Sequence, residues 1–162
     1  EIISELFQDY FKSVYISTNN PEVYWYLGHP LTGDIIDRGG PMSGIFSALA
    51  CSGAPEIFVA ACDMPFINRN VIDVIAGHYK GQDAVVPVYN DKPQPLPAIY
   101  SGKIMGLMEE RIKSDRRGLT NLLRDVNVCY IKEEEILNAD PDGRSFININ
   151  TMDDYQNVRS EK

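Results

Sequence analysis

Ile57-Phe58-Val59-Ala60-Ala61-Cys62-Asp63-Met64-Pro65-Phe66-Ile67 is the stretch on which the reading of the chain turns. Residues 57–62 form an unbroken apolar run, rich in small and β-branched side chains and short enough for a strand. A strand without polar alternation is expected to be covered on both faces, as in the middle of a parallel sheet. Asp63 stands where the run stops, at the expected carboxyl edge. Pro65 biases Met64 towards an extended conformation and keeps the strand from running on. Open α/β sheets place their ligands at this edge. By itself the carboxylate has two readings, because Asp is also a common turn residue: it caps a loop by accepting backbone N–H groups, or it binds a ligand.

Upstream, Asp34-Ile35-Ile36-Asp37 reads as a short strand ending in a carboxylate, followed by Arg38-Gly39-Gly40-Pro41-Met42-Ser43-Gly44 and a helical run from Ile45 to Cys51. Glycines with Pro41 near the first helical turn bring backbone close to a ligand at a helix N-terminus, or simply pack tightly. Earlier still, Ile2, Ile3, Leu6, Phe7, Tyr10 and Phe11 fall at helical spacing. Val14 to Ser17 reads as a short strand ending at Thr18-Asn19-Asn20-Pro21, and the aromatic stretch from Glu22 to Leu27 as one helical turn. A helix-then-strand opening is half of a βαβ unit, so the first strand is expected to be absent and the N-terminus incomplete. His29 has no second ligand nearby and reads as a solvent-facing turn histidine.

Downstream, Asn68 or Asn70 can cap a helix running to about Tyr79, with His78 at its negative end. Ala84 to Val88 reads as a buried strand. Pro93, Pro95 and Pro97 stiffen the segment after Lys92, which forms a rigid connector or a wall of a substrate pocket. Ser101 caps a further helix that turns Ile104, Leu107, Met108 and Ile112 inward. Arg116 and Arg117 follow in a basic turn that reads equally as a solvated turn or a phosphate contact. A helix over Leu119 to Arg124, a strand over Val126 to Ile131 and a charged turn or short helix over Lys132 to Asn138 complete the alternation. Phe146-Ile147-Asn148-Ile149-Asn150 alternates like a strand with both asparagines on one face, at a sheet edge or towards Asp63. Thr151 to Asp154 matches a capping box for a last helix. The order predicts an α/β three-layer sandwich, mostly parallel, with the late strands partly antiparallel.

Composition bounds the function. With 162 residues and 44% hydrophobic content, residues 1–162 make one domain with a real core. The 23 acidic and 15 basic residues give a net charge of −8, which argues against nucleic-acid partners and gives no support for an anionic membrane surface. No run approaches membrane-spanning length. The three cysteines, Cys51, Cys62 and Cys129, have no metal-ligand spacing and read as buried thiols of a cytoplasmic protein.

Asn19 after a strand, Asp37 before Gly40-Pro41-Met42-Ser43-Gly44, Cys62-Asp63-Met64-Pro65, and Phe146-Ile147-Asn148-Ile149-Asn150-Thr151 occur in the order found in the molybdenum cofactor guanylyltransferase family, which the chain resembles over nearly its whole length. That family joins a guanylyl group from GTP to molybdopterin. The resemblance implies a Rossmann-like nucleotidyltransferase fold in which Asp63 is catalytic and holds Mg²⁺, a hard cation suited to carboxylate and phosphate oxygens. It implies nucleotide contacts from Asn19, Asp37, Gly40, Gly44 and Asp63, with the Asp37 carboxylate accepting guanine N–H groups; Asp34 could slide into its place. Lys92, Pro97, Arg116, Arg117, Asn148 and Asn150 would face molybdopterin, and proteins of molybdenum cofactor biosynthesis would be partners. The family's opening Leu-Ala-Gly-Gly turn and phosphate-gripping lysine have no match here, so little turnover is expected of this chain alone. The rival readings are cytidylyl transfer to molybdopterin, nucleotidyl transfer to a sugar phosphate, and a non-catalytic nucleotide-binding or partner-docking module.

Overall fold

A computed structural model describes residues 2–37 and 40–149. Helix α1 (Ile2–Tyr10) leads to β1 (Ile16–Ser17), the short helix α2 (Pro21–Tyr24) with a 3₁₀ turn over Trp25–Leu27, and β2 (Leu31–Thr32). Next come α3 (Pro41–Ser52), β3 (Glu56–Val59), α4 (Arg69–His78) and the hairpin of β4 (Ala84–Tyr89) with β5 (Lys92–Pro93). The chain continues through β6 (Ala98–Ser101), α5 (Met105–Lys113), α6 (Leu119–Leu123), β7 (Val128–Ile131) and α7 (Glu133–Ala139), then a 3₁₀ turn over Arg144–Phe146.

β1 and β2 pair in parallel as a separate ribbon. The main sheet runs β3-β6-β4-β7, with β5 folded back on β4. β6 is antiparallel to both β3 and β4, whereas β7 is parallel to β4. Strands β3, β4 and β7 therefore point one way and β6 is threaded between them in reverse; β5 and β6 run antiparallel to their neighbours, whereas β7 does not. Adjacent residues of β4 face opposite layers, as strand geometry requires. Val86 and Ala84 join Met42 and Leu49 of α3, Met108 and Ile112 of α5 and Leu122 of α6. Val85 joins Val71 and Ile75 of α4, Ile99, Ile131 and Ile136 of α7. Helices thus cover both faces, the sandwich that the sequence predicts. α3 packs on β1, β2 and β3 together and so bridges the ribbon to the sheet.

Several expectations need correction. β3 is shorter than residues 57–62 and is not central: each of its residues is only half-buried, and among the described residues it pairs with β6 alone. Its apolar side chains are met instead by α1, with Phe7 edge-on to Phe58 at 5.6 Å and Phe11 stacked on it at 5.4 Å. Residues 34–37 form no strand. The Asp34 N–H goes to the Asn19 side chain (2.8 Å) and the Ile35 N–H to Ser47 Oγ (2.9 Å), so side chains take the bonds that a ladder would have used. Residues 146–149 form no strand either; they leave a 3₁₀ turn and spend the Ile149 N–H on a loop carbonyl. Asn150 and the capping box at 151–154 lie outside the described residues. Cys51 and Cys62 are exposed and Cys129 is half-buried, not three buried thiols. His29 is half-buried rather than solvent-facing, with Nε2 shut away without a partner. No helix among the described residues is long and apolar enough to cross a membrane.

The predicted caps are present. Asn68 Oδ1 accepts from the Val71 N–H at 3.0 Å and Ser101 Oγ from the Lys103 N–H at 3.3 Å. His78 donates through Nδ1 to the Val74 carbonyl at 2.8 Å and meets Glu135 at 3.1 Å, tying α4 to α7. Gly143 is the most constrained glycine of the fold: its φ is +62°, and a Cβ there would run into the phenol of Tyr89, which stacks on Phe146 at 4.8 Å. Gly143→Ala is expected to destabilise the protein by about 2 kcal/mol, read as a fall of roughly 4–8 °C in Tm. An unchanged melting temperature would mean that Tyr89 swings away freely.

Candidate active site

The topology decides which loops meet. β3, β4 and β7 end at one edge of the main sheet, and because β6 is reversed, its beginning lies there too. Ala98 opposes Val59, which puts Pro97 beside Ala60 at the exit of β3. The helical crossover from β2 through α3 to β3 brings the end of β2 and the N-terminus of α3 to the same side.

At the exit of β3 two consecutive turns, Met64 N–H to Ala61 carbonyl and Ile67 N–H to Met64 carbonyl (both 3.3 Å), fold residues 61–67 into a compact step before α4. Met64 and Ile67 are buried and nail the step to the core. Asp63 immediately precedes the first of these anchors. Its Oδ1 is buried and has no hydrogen-bond partner among the described residues, although the Asp63 backbone carbonyl accepts from the Ile149 N–H at 2.7 Å. No backbone N–H of those residues reaches that oxygen, so the capping reading finds no support there. A buried carboxylate oxygen without a donor suits a ligand that brings positive charge.

A second group stands at the ends of β1 and β2. Asn19 and Asp34 bond reciprocally, Asn19 Nδ2 donating to Asp34 Oδ2 at 3.1 Å and Asn19 Oδ1 accepting the Asp34 N–H. Asp34 is half-buried, whereas Asp37 is exposed and makes no hydrogen bond or ion pair among the described residues. Of the two carboxylates that the sequence left open, Asp34 is thus the one held by Asn19. Gly40 caps α3 with φ +90°, and Gly44 lets α3 approach β1 so closely that a Cβ would stand 2.7 Å from Ser17 Oγ. Gly44 therefore has a packing role at the site's floor, and Ser47, which sequence reasoning passed over as one more helix residue, holds Ile35 in place.

The remaining candidates are less gathered. Pro97 reaches the edge, and the segment before it is rooted by buried Tyr100, whose O–H donates to the Pro95 carbonyl at 2.8 Å. Burial pushes that hydroxyl's pKa up, so it stays a neutral donor. Lys92 is exposed on the β4–β5 hairpin and makes no ion pair among the described residues. Arg116 pairs with Glu110 at 2.8 Å and Arg117 with Asp115 at 2.9 Å, so both guanidinium groups are occupied locally, as in the solvated-turn reading. Asn148 is exposed one residue before the amide that meets Asp63. Two cavities of about 270 and 300 Å³ lie elsewhere, one lined by Lys12 and His29, the other by Phe58 and Tyr79. Among the described residues no group of three or more His, Cys, Asp or Glu side chains could hold a metal by itself.

Comparison with known proteins agrees with this geometry. Residues 1–130 match the MobA-like NTP transferase domain. A probable molybdenum cofactor guanylyltransferase of Peptoclostridium acidaminophilum is 33% identical over 172 residues, an alignment covering all of this chain and 78% of the relative. One of Clostridium perfringens (strain 13 / Type A) is 31% identical, with all of this chain and 82% of the relative covered. The crystal structure of molybdopterin-guanine dinucleotide biosynthesis protein A from Archaeoglobus fulgidus superposes with a TM-score of 0.81 at 26% identity, over all of this chain and 87% of that one. The fold is that of an α/β nucleotidyltransferase. Within that class, the chain belongs to the MobA-like NTP transferase domain family.

Asn19→Ala is expected to free residues 33–36 while leaving the main sheet intact. Of the two hydrogen bonds lost, the one made by the Asp34 N–H, about 1 kcal/mol, should by itself speed exchange of that amide roughly fivefold. Unaltered exchange would show that the Ser47 contact alone orders the segment.

Proposed function

We propose that this protein transfers the guanylyl group of GTP to molybdopterin and releases pyrophosphate, in the synthesis of molybdopterin guanine dinucleotide. What supports this reading is the buried oxygen of Asp63, without a donor among the described residues, where β3 ends, together with the Asn19–Asp34 pair at the ends of β1 and β2. The names of the relatives supply the substrates, which the geometry alone does not choose.

In this reading an oxygen of the molybdopterin phosphate attacks the α-phosphorus of GTP, and the bond to the leaving pyrophosphate breaks. No protein nucleophile takes part. Asp63 is the residue that would hold Mg²⁺: among the described residues no donor competes for its Oδ1, and a single carboxylate suits a cation that prefers one or two carboxylates plus substrate phosphate oxygens and water. The cation, when bound, supplies positive charge opposite the α-phosphate as negative charge builds there. Asn19 and Asp34 orient the nucleoside. Asp34 uses one carboxylate oxygen on Asn19 and has acceptor capacity left for the N–H groups of guanine, which cytosine presents differently. The backbone around Gly40, at the N-terminus of α3, faces phosphate or ribose. The acceptor's side of the cleft is given to Pro97, Lys92, Asn148 and Asn150, with Arg116 and Arg117 available only by leaving their present ion pairs.

Asp63→Asn, which keeps the side chain's size and removes its charge, is expected to abolish transfer in the full-length protein, a loss of at least about 10²-fold, with an unchanged circular dichroism spectrum. Near-normal turnover at saturating Mg²⁺ would overturn the assignment. For the nucleotide, Asp34→Ala is expected to weaken GTP by about 1.5–3 kcal/mol and CTP by less, and Asp37→Ala to weaken GTP less than Asp34→Ala does. Calorimetry that found the two variants equal, or CTP the stronger ligand of the native protein, would refute guanine reading by Asp34.

A further inference from the structure

The Asp63 step is gripped at three points by a segment that lies about eighty residues further along the chain and of which the proposed reaction uses Asn148 alone. The Ile149 N–H donates to the Asp63 carbonyl at 2.7 Å. The guanidinium of Arg144 stands 4.8 Å from the centroid of the Phe66 ring. Ser145 Oγ accepts from the Asn68 N–H at 3.3 Å, at the cap of α4 where the step ends. Front, middle and back of residues 63–68 are each met by residues 144–149.

This gripping segment is itself rooted. Asp140, buried at the end of α7, takes the Ser145 N–H on its carboxylate at 2.7 Å and the Gly143 N–H on its carbonyl at 2.9 Å. Phe146 stacks on Tyr89 of β4. Ser145 is wholly buried. The contacts therefore run from two framework elements, α7 and β4, through a tight turn to the one carboxylate whose buried oxygen lacks a donor. A carboxylate kept without a partner has no hydrogen bond of its own to hold its direction, so its direction is set by the backbone that carries it.

We propose that residues 140–149 form a positioning clasp for Asp63, with Arg144 and Ser145 as its positioning residues, and that this clasp sets the affinity of the site for a divalent cation. The proposal rests on the reading of Asp63 as the cation ligand. Neither residue would touch the cation; each acts through the Asp63 step, as outer groups around a ligand tune a metal site by fixing that ligand's orientation.

The test is direct titration of Mn²⁺ into the full-length protein with a non-hydrolysable GTP analogue, the free ion being followed by its electron paramagnetic resonance. Arg144→Ala is expected to weaken Mn²⁺ about tenfold, the lower end of effects from outer-sphere residues, while affinity for the analogue without metal stays as in the native protein. Arg144→Lys, which keeps a cation over the Phe66 ring, is expected to recover most of the loss. Should Arg144→Ala fail to fold, Ser145→Ala removes only one acceptor and is expected to weaken Mn²⁺ in the same direction. Native Mn²⁺ affinity in the folded variant, or equal losses of metal and metal-free nucleotide binding, would overturn the clasp. Asp63→Asn separates the two ideas. If it loses Mn²⁺ while the clasp variants do not, the clasp alone fails; if it binds Mn²⁺ as well as native, the reading of Asp63 fails and the clasp with it.

Discussion

A carboxylate oxygen shut away from water with no donor is costly in any fold, by about 1–3 kcal/mol on the scale of unsatisfied buried polar groups. Asp63 Oδ1 is such an atom, and the architecture around it is what keeps it there. Met64 and Ile67 cannot leave the core without losing their burial, and Asn68 must stay where it is to cap α4. Asp63 directly precedes these fixed points, and among the described residues no donor reaches its Oδ1. The fold thus carries at this edge a local deficit that a ligand bringing positive charge or a donor would relieve, as expected where binding rather than stability has shaped a position.

The ribbon of β1 and β2 under α3 is built on a different constraint, close approach. α3 lies on the ribbon and on β3 at once, and Gly44 is the residue whose missing Cβ permits it to settle over Ser17. From that helix Ser47 reaches up to hold Ile35, and from the end of β1 Asn19 holds Asp34. The loop between β2 and α3 therefore has its backbone donors claimed by side chains on two separate elements.

Much of this was legible in the sequence, and the failures have a common cause. The apolar run of β4, the caps at Asn68 and Ser101, and the carboxylate at the end of residues 57–62 were readable because each depends on neighbours a few positions away. Residues 34–37 and 146–150 carry strand-like patterns, yet the described parts of both are irregular. Their amides are spent on Asn19, Ser47 and Asp63, partners 12 to 86 positions distant that no local pattern reveals. The position of β3 was misjudged for a related reason: an apolar strand can be covered by sheet neighbours or by aromatic side chains of a helix such as Phe7 and Phe11, and composition does not distinguish the two. Arg144 and Ser145 gave no signal beyond a turn, since their contacts with Phe66 and Asn68 exist only in three dimensions.

The reversal of β6 has a consequence for how such a protein can diverge. In a sheet whose strands all point one way, every loop at the working edge leads out of a strand into a helix, so a change in its length moves that helix. Here the proline segment enters β6 from the β4–β5 hairpin, and its ends are held by Tyr100 and by the pairing of Ala98 with Val59. At the tip of that hairpin the Asn90 and Asp91 N–H groups donate to Glu133 at the start of α7, so a change in its length bears on that side-chain contact rather than on a strand-to-helix connection. With Lys92 and Pro97 facing the acceptor as proposed, that wall can be reshaped while Asp63 stays where it was.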